Sequence, residues 1–401
     1  MYHNYIINGD EIQEGKSGCK FSKICYIFTC REIEKYGMIK EKGKAEPIMM
    51  TIGVIGAGSI SNAHLDAYQK NKKCNIKAIA DLNEKQAKTA AENYEIPDVY
   101  TDYKELLSDQ EIDAVSICTP TFTHKQIVLD ALKAGKHVLC EKPPALNAEE
   151  VRECRNAQKE SGKVLMFGLV CRFFNQTQYL KQYIESGKMG QIISAEAARV
   201  KRCFGYEKWF ADRKKGGGFL KDAAIHQLDC AMYLMDYPKP KTVVASQTFL
   251  NLDLPEKMSQ GESNWFYQSC DTGEYENNIE TAITGFVTFE NGACLHVKSA
   301  SVLNTVESGS LVVMNGEHAG IKYNLDNFEV NLVELDYGPC FKESTPQVSK
   351  NSPFCSEISH FLDCCEKGTE CICKVEEAEI LMQIIDAMIT SADTRQPVVF
   401  D

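Results

Sequence analysis

A glycine-rich turn between a short apolar strand and a helix is the feature that most constrains the fold of this chain. The segment from Thr51 to Ser61 reads Thr-Ile-Gly-Val-Ile-Gly-Ala-Gly-Ser-Ile-Ser, so Gly-x-Gly-x-x-Ser directly follows a β-branched run. Gly56 would permit the tight turn, and Gly58 would let the backbone approach a pyrophosphate. Ser61 takes the third position, where a small side chain lets the helix pack on the strand. The arrangement predicts the first turn of a Rossmann-type dinucleotide-binding domain.

The start of the following helix and an acid at the end of the next strand complete this cofactor pattern. Ser59 and Ile60 open the helix, whose backbone N–H groups and dipole would face the phosphates. Asp81 closes the next predicted strand, where a carboxylate accepts hydrogen bonds from the ribose of NAD and repels the 2′-phosphate of NADP. The alternative for Asp81 is an ordinary strand-end cap of the next helix. We therefore expect NAD, with Lys85 as the one nearby feature that favours NADP.

The pattern of predicted strands and helices changes along the rest of the chain and indicates two domains. Short apolar strands alternate with helices after residue 51, which indicates βαβ units in a parallel sheet. Longer, partly alternating strands follow and predict an α+β domain with a largely antiparallel sheet. We expect a Rossmann NAD-binding domain over 51–170 and a substrate-binding and oligomerisation domain over 171–401. Residues 1–50 lack clear periodicity and are expected to be an appendage, or an upstream region translated from a misassigned start.

Charge and hydropathy exclude several classes of function. The net charge of −12 argues against nucleic acid and against an anionic membrane surface as partners. No apolar run reaches the roughly 18 residues of a membrane span, and no signal peptide is expected at the start. The 18 cysteines are scattered and form no C-x-x-C pair, which indicates reduced thiols in a cytoplasmic protein.

Four cysteines close together near the end of the chain are the one place where a metal needs consideration. They are Cys364, Cys365, Cys371 and Cys373. Their spacing fits no known zinc pattern, and thiols at a helix end and in the following turn are the simpler interpretation. We therefore expect no metal.

Several separated motifs carry a resemblance to a known family. They are Cys118-Thr-Pro-Thr-Phe-Thr-His124, Ala134-Gly-Lys-His-Val-Leu-Cys-Glu-Lys-Pro143, Gly168-Leu-Val-Cys-Arg-Phe173, Gly216-Gly-Gly-Phe-Leu-Lys-Asp-Ala-Ala-Ile-His226-Gln-Leu-Asp229, and the tail from His360 to Val398. Their order over 51–401 resembles the glucose–fructose oxidoreductase / inositol dehydrogenase (Gfo/Idh/MocA) family. The resemblance implies a Rossmann domain followed by an α/β domain with a large, mostly antiparallel, open sheet that often mediates dimers or tetramers. It also implies NAD(P)-dependent oxidation or reduction of a hydroxyl group of a sugar, an inositol or a related polyol.

The same resemblance assigns the catalytic residues as Lys142, Asp222 and His226. Their chemistry agrees, because oxidation of an alcohol carbon requires loss of the hydroxyl proton, which an imidazole near neutral pKa takes well. A cation such as Lys142 would stabilise the developing alkoxide. Asp222 and His226 share one face of a predicted helix over 219–235, so Asp222 could orient His226. The alternatives are a surface Asp–His contact and a solvent-exposed lysine.

Further residues are expected at the cofactor. Thr119 and Pro120 follow a strand at the carboxyl edge of the sheet, where cofactors bind. His124, Glu141 and Lys142 are expected to contact the cofactor as well. A purely structural histidine is the alternative for His124.

The substrate is expected to meet Lys142, Asp222, His226 and Arg172. Arg172 could instead hold Lys142 in place. A stacking face for a sugar ring could come from aromatic residues whose default role is core packing, namely Trp209, Trp265, Phe266 and Tyr267.

Two other classes of function stay open. One is an NAD-using glycoside-cleaving enzyme, in which transient oxidation of a ring hydroxyl enables elimination. The other is a non-catalytic NAD-sensing regulatory protein on the same fold, which would not need Lys142, Asp222 and His226. Net reduction of NAD separates the first alternative from a dehydrogenase.

Overall fold

The computed structural model describes residues 49–202, 204, 208–250, 278–336 and 340–401, together with the backbone of three short strands before residue 49. The chain forms two units, residues 1–48 and 49–401. In the first unit, a central strand pairs antiparallel with two others. These strands are β1 (Tyr5–Asn8), β2 (Glu11–Glu14) and β3 (Ile27–Phe28).

A six-stranded parallel sheet begins the second unit. Its strands are β4 (Met50–Ile55), β5 (Cys74–Ala80), β6 (Asp98–Tyr100), β7 (Ala114–Ile117), β8 (His137–Glu141) and β9 (Leu165–Gly168). Their order across the sheet is β6-β5-β4-β7-β8-β9, the Rossmann order 3-2-1-4-5-6 when counted from β4. All residues of β7 and β9 are buried, as expected for apolar parallel strands covered on both faces.

Helices connect these strands, and their ends follow from local sequence. They are α1 (Ser59–Gln69), α2 (Glu84–Tyr94), α3 (Tyr103–Ser108), α4 (Thr121–Lys133) and α5 (Ala148–Ser161). The side chains of Asn83 and Asn147 cap α2 and α5 by accepting hydrogen bonds from backbone N–H groups of the first turn. Gly162, in the left-handed conformation, ends α5. In contrast, α1 starts at Gly58 without a side-chain cap.

A nine-stranded sheet forms the rest of the second unit. Its strands are β10 (Ile192–Val200), β11 (Pro240–Thr248), β12 (Ala282–Phe289), β13 (Cys294–Ala300), β14 (Gly309–Gly316), β15 (Ala319–Asn324), β16 (Glu329–Leu335), β17 (Phe341–Ser344) and β18 (Val398–Val399). The order is β17-β16-β15-β14-β10-β13-β12-β11-β18. Only the β10–β13 pair is parallel among these pairings. The predicted Rossmann domain and mostly antiparallel second sheet are confirmed.

Helices cover one face of this second sheet. The helices that do so are α7 (Ile225–Leu234) and α9 (Val375–Thr394), whereas α6 (Asn175–Glu185) packs on α7, and α8 (Pro353–Lys367) packs on α1. α7 packs on β10 and β14, and α9 packs on β11. Side chains along β12 alternate between buried and exposed, so the opposite face is open, with Val244 and Phe286 50% and 55% exposed. Within the described ranges, every helix is too short or too polar to cross a membrane.

Candidate active site

The glycine-rich turn after β4 has the geometry of a phosphate cradle. Gly56 has a φ of +98°, and a Cβ there would stand 2.5 Å from the carbonyl oxygen of Cys118, so only glycine fits. Gly58 faces open space, since, apart from its two chain neighbours, no described residue has an atom within 4 Å of the position that its Cβ would take. The turn therefore leaves room for a pyrophosphate, which is where the sequence predicted one.

The first turn of α1 has the features of an anion-binding helix N-terminus. No side chain caps its N-terminus at Gly58, and its first turn carries no acidic residue. Ser59 is exposed and Ile60 half-buried, so their backbone lies beside the open space. Ser61 is fully buried, and its Oγ donates to the carbonyl oxygen of Gly58 at 2.6 Å. The N-terminus of α1 thus fits the phosphates of a dinucleotide.

Asp81 lies beside this turn at the end of β5. Its Oδ2 accepts a hydrogen bond from the backbone N–H of Ala57 at 2.7 Å, and its Oδ1 accepts one from that of Asn83 at 2.7 Å. The carboxylate therefore lies at the edge of the cradle, where the ribose of a bound dinucleotide is held in Rossmann domains. The cap of α2 is Asn83 and not Asp81, because Asn83 Oδ1 accepts from the N–H of Gln86.

The carboxyl end of β7 forms the other wall of the cofactor crevice. Thr119 and Pro120 are half-buried there, across the point where the strand order reverses. His124 does not face this crevice. Its ring is 1% exposed, with Nδ1 2.8 Å from the carbonyl oxygen of Pro143 and Nε2 2.8 Å from that of Thr119. Because the ring is buried and both nitrogens lie against backbone carbonyl oxygens, the expected cofactor contact of His124 is corrected to the structural alternative.

Lys142 is supported by a buried polar chain that the sequence analysis missed. Glu141 Oε2 accepts from the backbone N–H of Lys142 at 3.0 Å, and Oε1 lies 2.8 Å from His64 Nε2. His64 Nδ1 lies 3.2 Å from Ser116 Oγ, which lies 2.8 Å from the hydroxyl of Tyr68. Glu141 is 5% exposed and the other three members of the chain 1% or less.

Both carboxylate oxygens of Glu141 therefore have hydrogen-bond partners within the protein. The cofactor contact expected for Glu141 is corrected, because the two oxygens bind His64 and the backbone of Lys142. Burial by itself raises the pKa of Glu141, but the hydrogen bond from His64 and the charges of His64 and Lys142 hold that pKa below its usual range. Glu141 is thus an anion that fixes the backbone at Lys142.

Lys142 and Asp222 meet across the two halves of the unit. Nζ of Lys142 donates to Oδ1 of Asp222 at 2.9 Å and to its carbonyl oxygen at 2.9 Å. The two side chains are 12% and 10% exposed. Lys142 directly follows β8, and Asp222 lies in a π-helical turn, Leu220–Ala224, that precedes α7. The predicted proximity of these two residues is present in the fold.

His226 lies in the first turn of α7, where the positive charge of Lys142 acts on it. Burial lowers the pKa of His226 well below its usual value, and the positive charges of Lys142 and Arg199 lower it further. The buried Nδ1 has no hydrogen-bond partner among the described residues, so Asp222 does not orient the ring through that atom as the sequence suggested. The reason is local, because the wider π-helical turn at Asp222 disturbs the i,i+4 alignment of a regular helix.

Glu280 lies under the glycine run that leads to Asp222. It is 1% exposed, and its Oε1 accepts from the backbone N–H of Leu220 at 3.1 Å. Gly218 has a φ of +93°, and a Cβ there would stand 2.6 Å from Glu280 Oε2. Burial raises the pKa of Glu280. No motif marked this residue, because its partner is distant in sequence and the contact forms only in the fold.

Arg172 is not a substrate ligand in this fold. Its guanidinium is fully buried. Nε and Nη2 donate to Asp229 at 3.0 and 2.6 Å, and Nη2 donates to the Tyr237 hydroxyl at 2.8 Å. Nη1 donates to the Ile372 carbonyl oxygen at 2.5 Å and to the Glu377 carboxylate. All five donors of an arginine are used in this cluster, so the expected substrate contact is corrected.

The aromatic residues proposed as a stacking face divide into two groups. Trp209 is 8% exposed and stacks on Phe210 with ring centroids 3.7 Å apart, which is the core-packing alternative. The other three lie outside the described residues, namely Trp265, Phe266 and Tyr267.

Comparison with known families agrees with this two-domain fold. Residues 50–169 match the NAD-binding Rossmann domain of an oxidoreductase family, and residues 181–400 match the C-terminal α/β domain of the same family. The chain belongs to the Gfo/Idh/MocA family of oxidoreductases. The resemblance drawn from the motifs is therefore confirmed, and so is the expectation of an NAD(P)-dependent oxidoreductase.

Individual relatives extend over most of this Gfo/Idh/MocA protein. D-glucoside 3-dehydrogenase of Escherichia coli (strain K12) is 29% identical over 349 residues, covering 86% of this chain and 96% of the relative. A 2,7-anhydro-N-acetylneuraminate hydratase of Mediterraneibacter gnavus is 28% identical over 277 residues, covering 66% and 68%. The structure of levoglucosan dehydrogenase in complex with NADH superposes with a TM-score of 0.75 at 21% identity, covering 88% and 99%. The last likeness shows a shared fold.

Proposed function

We propose that this oxidoreductase transfers a hydride between NAD and a hydroxyl- or keto-bearing carbon of a sugar, an inositol or a related polyol. The observation that carries the proposal is the contact of Lys142 Nζ with Asp222 Oδ1 at 2.9 Å, one helical turn before His226, whose pKa the charge of Lys142 lowers. The names of two similar proteins, D-glucoside 3-dehydrogenase and levoglucosan dehydrogenase, support a sugar as substrate.

The cofactor would be held by the crevice at the carboxyl edge of the parallel sheet. The backbone from Gly56 to Ile60 would bind the pyrophosphate, and Thr119 and Pro120 would line the opposite wall. Asp81 would accept hydrogen bonds from the ribose hydroxyls, which favours NAD over NADP. When bound, the nicotinamide accepts or supplies the hydride.

The protein's own residues would handle the proton and the charge on oxygen. A neutral His226 would take the hydroxyl proton, and the ammonium of Lys142 would stabilise the oxygen as its negative charge develops. Asp222 would act through Lys142, because its carboxylate oxygen and its carbonyl oxygen both accept hydrogen bonds from Nζ. Asp222 is therefore a positioning residue for Lys142 in this proposal, rather than the partner of His226.

A second candidate is a reaction in which oxidation is only transient. The observation that favours it is the relative named as a hydratase. In such a cycle, oxidation of a ring hydroxyl acidifies the neighbouring C–H, a leaving group is eliminated, and the hydride returns to the substrate. NAD would then be required without accumulation of NADH.

A screen of polyols, sugars and keto-sugars with NAD(H) and NADP(H) tests both candidates. Stoichiometric NADH formation with an alcohol substrate supports the dehydrogenase. Product formation that requires NAD but yields no net NADH supports transient oxidation. Binding of NAD without turnover of any compound in the screen favours a regulatory protein and contradicts both.

We also propose a cytoplasmic homodimer or homotetramer that associates through the open face of the second sheet. Phe286 is 55% exposed there and stacks on His296 with ring centroids 4.3 Å apart, and Val244 is 50% exposed. Exposed apolar side chains on one sheet face suit an interface between subunits. Light scattering should give a multiple of the chain mass for the wild type and a smaller one for Phe286→Glu. A monomeric wild type contradicts this part.

A further inference from the structure

Three metal-binding side chains meet where α8 turns towards α9. The donor atoms of His360, Cys364 and Cys371 lie within 4.8 Å of one another. His360 and Cys364 are four positions apart on α8 and therefore share a face, while Cys371 belongs to the loop that follows. Cys364 is buried and the other two are half-buried. In the part of the chain that the structure describes, no other three such donors come together.

We propose that this group binds one Zn²⁺ ion through Nε2 of His360 and the thiolates of Cys364 and Cys371. Two sulfurs and one imidazole nitrogen select a borderline-soft cation over Mg²⁺ or Ca²⁺, which prefer oxygen. Tetrahedral zinc, with bonds of about 2.3 Å to sulfur and about 2.0 Å to nitrogen, holds neighbouring donors about 3.5–3.8 Å apart. Nε2 of His360 already lies 3.4 Å from Sγ of Cys364.

The hydrogen bonding of His360 provides the tautomer that such an ion needs. Nε2 accepts a hydrogen bond from the backbone N–H of Ile372 at 3.1 Å, so that nitrogen carries no proton of its own. Its lone pair points towards the loop that holds Cys371. The ion would take the place of the backbone N–H of Ile372 at Nε2 of His360. The two cysteine side chains would then rotate to bring their sulfurs to bonding distance.

An independent observation comes from Glu357, one turn before His360 on α8. The residue is fully buried, and neither of its carboxylate oxygens has a hydrogen-bond partner among the described residues. Buried carboxylates without a partner are costly, and coordination of a metal is one way in which proteins satisfy them. Helical spacing puts Glu357, His360 and Cys364 on one face of α8. Its oxygens lie outside the three-donor group as the fold stands, so the Glu357 side chain would have to rotate towards Cys371 to supply the fourth ligand.

A closed site of this kind would be structural. It would tie the loop after α8 to the helix itself. The same loop presents the Ile372 carbonyl oxygen to Nη1 of Arg172 at 2.5 Å, so the ion would also steady the buried Arg172–Asp229 cluster behind α7. The expectation that no metal binds rested on the spacing of the four cysteines and on a hydride transfer that needs only Lys142 and His226. The fold brings His360 into the group and leaves Cys365 and Cys373 outside it.

Zinc content of the purified full-length protein tests the proposal directly. The wild type should retain about one equivalent of zinc after gel filtration, as expected for a structural site. Cys364→Ser and Cys371→Ser should lose it. Cys365→Ser is the matched control, since this half-buried thiol is adjacent in sequence but outside the group, and it should retain zinc. A chelator should lower the Tm of the wild type and of the control, but not that of Cys371→Ser.

A measurement on the wild type alone decides the matter if the serine variants do not fold. Metal-stripped wild type is titrated with Co²⁺, and thiolate-to-cobalt charge-transfer absorption should rise to saturation at one equivalent and disappear on addition of Zn²⁺. Absence of that absorption overturns the proposal. Equal zinc contents in wild type and Cys371→Ser also overturn it, because the ion would then be bound elsewhere.

Discussion

The ammonium of Lys142 lies 2.9 Å from a carboxylate oxygen of Asp222, although the two residues come from different halves of the larger unit. Lys142 follows a strand of the parallel sheet, and Asp222 precedes a helix that packs on the second sheet. The pair therefore joins the cofactor crevice to the second domain. Its limited exposure strengthens the electrostatic interaction between the two groups relative to that in water.

Removal of either side chain proposed to react, His226 or Lys142, should abolish most activity. His226→Ala should lower kcat by about 10²–10⁴-fold, the usual effect of losing a general base. Lys142→Ala should lower kcat by the same factor or more, because the developing alkoxide loses its counter-charge. Binding of NADH, measured by calorimetry, should stay nearly unchanged in both. The exposed Lys104→Ala is the control and should keep wild-type kcat, whereas full activity in both site variants contradicts the assignment.

The pH profile should report the lowered pKa of His226. The neutral, proton-accepting form then persists through neutral pH, so kcat/KM for oxidation should fall only when the pH drops below the usual histidine value of about 6.5. Arg199→Gln removes a positive charge that lowers this pKa, so the acid limb should move to higher pH. Lys322→Gln makes the same change of net charge at an exposed position. An acid limb that shifts equally in both variants, or in neither, argues against His226 as the base.

Cofactor preference should depend on Asp81. The wild type should show the higher kcat/KM with NAD, because the carboxylate repels the 2′-phosphate of NADP. Asp81→Ser should shift the ratio of the two kcat/KM values towards NADP while keeping a side-chain acceptor for the backbone of the turn. Glu84→Gln removes an acid from the start of α2 and should leave the ratio unchanged. A wild-type preference for NADP would mean that Asp81 does not bind the ribose hydroxyls of the cofactor.

The buried Arg172 cluster should dominate local stability. Arg172→Met leaves the carboxylate of Asp229 buried without its partner, which should lower the free energy of unfolding by about 3–5 kcal/mol. Denaturant titration measures the change. Lys88→Ala breaks an exposed i,i+4 pair with Glu84 and should cost at most about 0.5 kcal/mol. A loss below about 1 kcal/mol for Arg172→Met would show that the cluster is not an essential ion pair.

A chain that begins at Met50 should fold and keep its activity. β4 starts at Met50, and residues 49–401 form a unit separate from residues 1–48. The shortened protein should match the full-length protein in kcat and in Tm. If the shortened protein is insoluble, residues 1–49 contribute to the stability of the rest of the chain.

The candidate site was predictable wherever one short segment carries its own chemistry. The Gly56–Ser61 turn, the acid Asp81 and the sequence around Lys142 each combine a strand end with a characteristic residue. Their positions follow from local conformation and from the carboxyl edge of a parallel sheet. The roles of Glu141, His124 and Arg172 were not predictable, because each side chain turns inward to partners that the motif does not contain.

The sequence by itself determined the Rossmann domain and the order of the two domains, since periodicity and turn chemistry act over a few residues. Its family motifs nominated Lys142, Asp222 and His226 as the candidate reactive residues. Only the tertiary structure decided which side chains meet. Folding joined His64 to Glu141, Arg172 to Asp229, and Lys142 to Asp222. Buried polar groups must find hydrogen-bond partners once water is excluded. The partners are therefore the groups that lie nearby in the folded protein, and the spacing of residues along the chain does not reveal which groups these are.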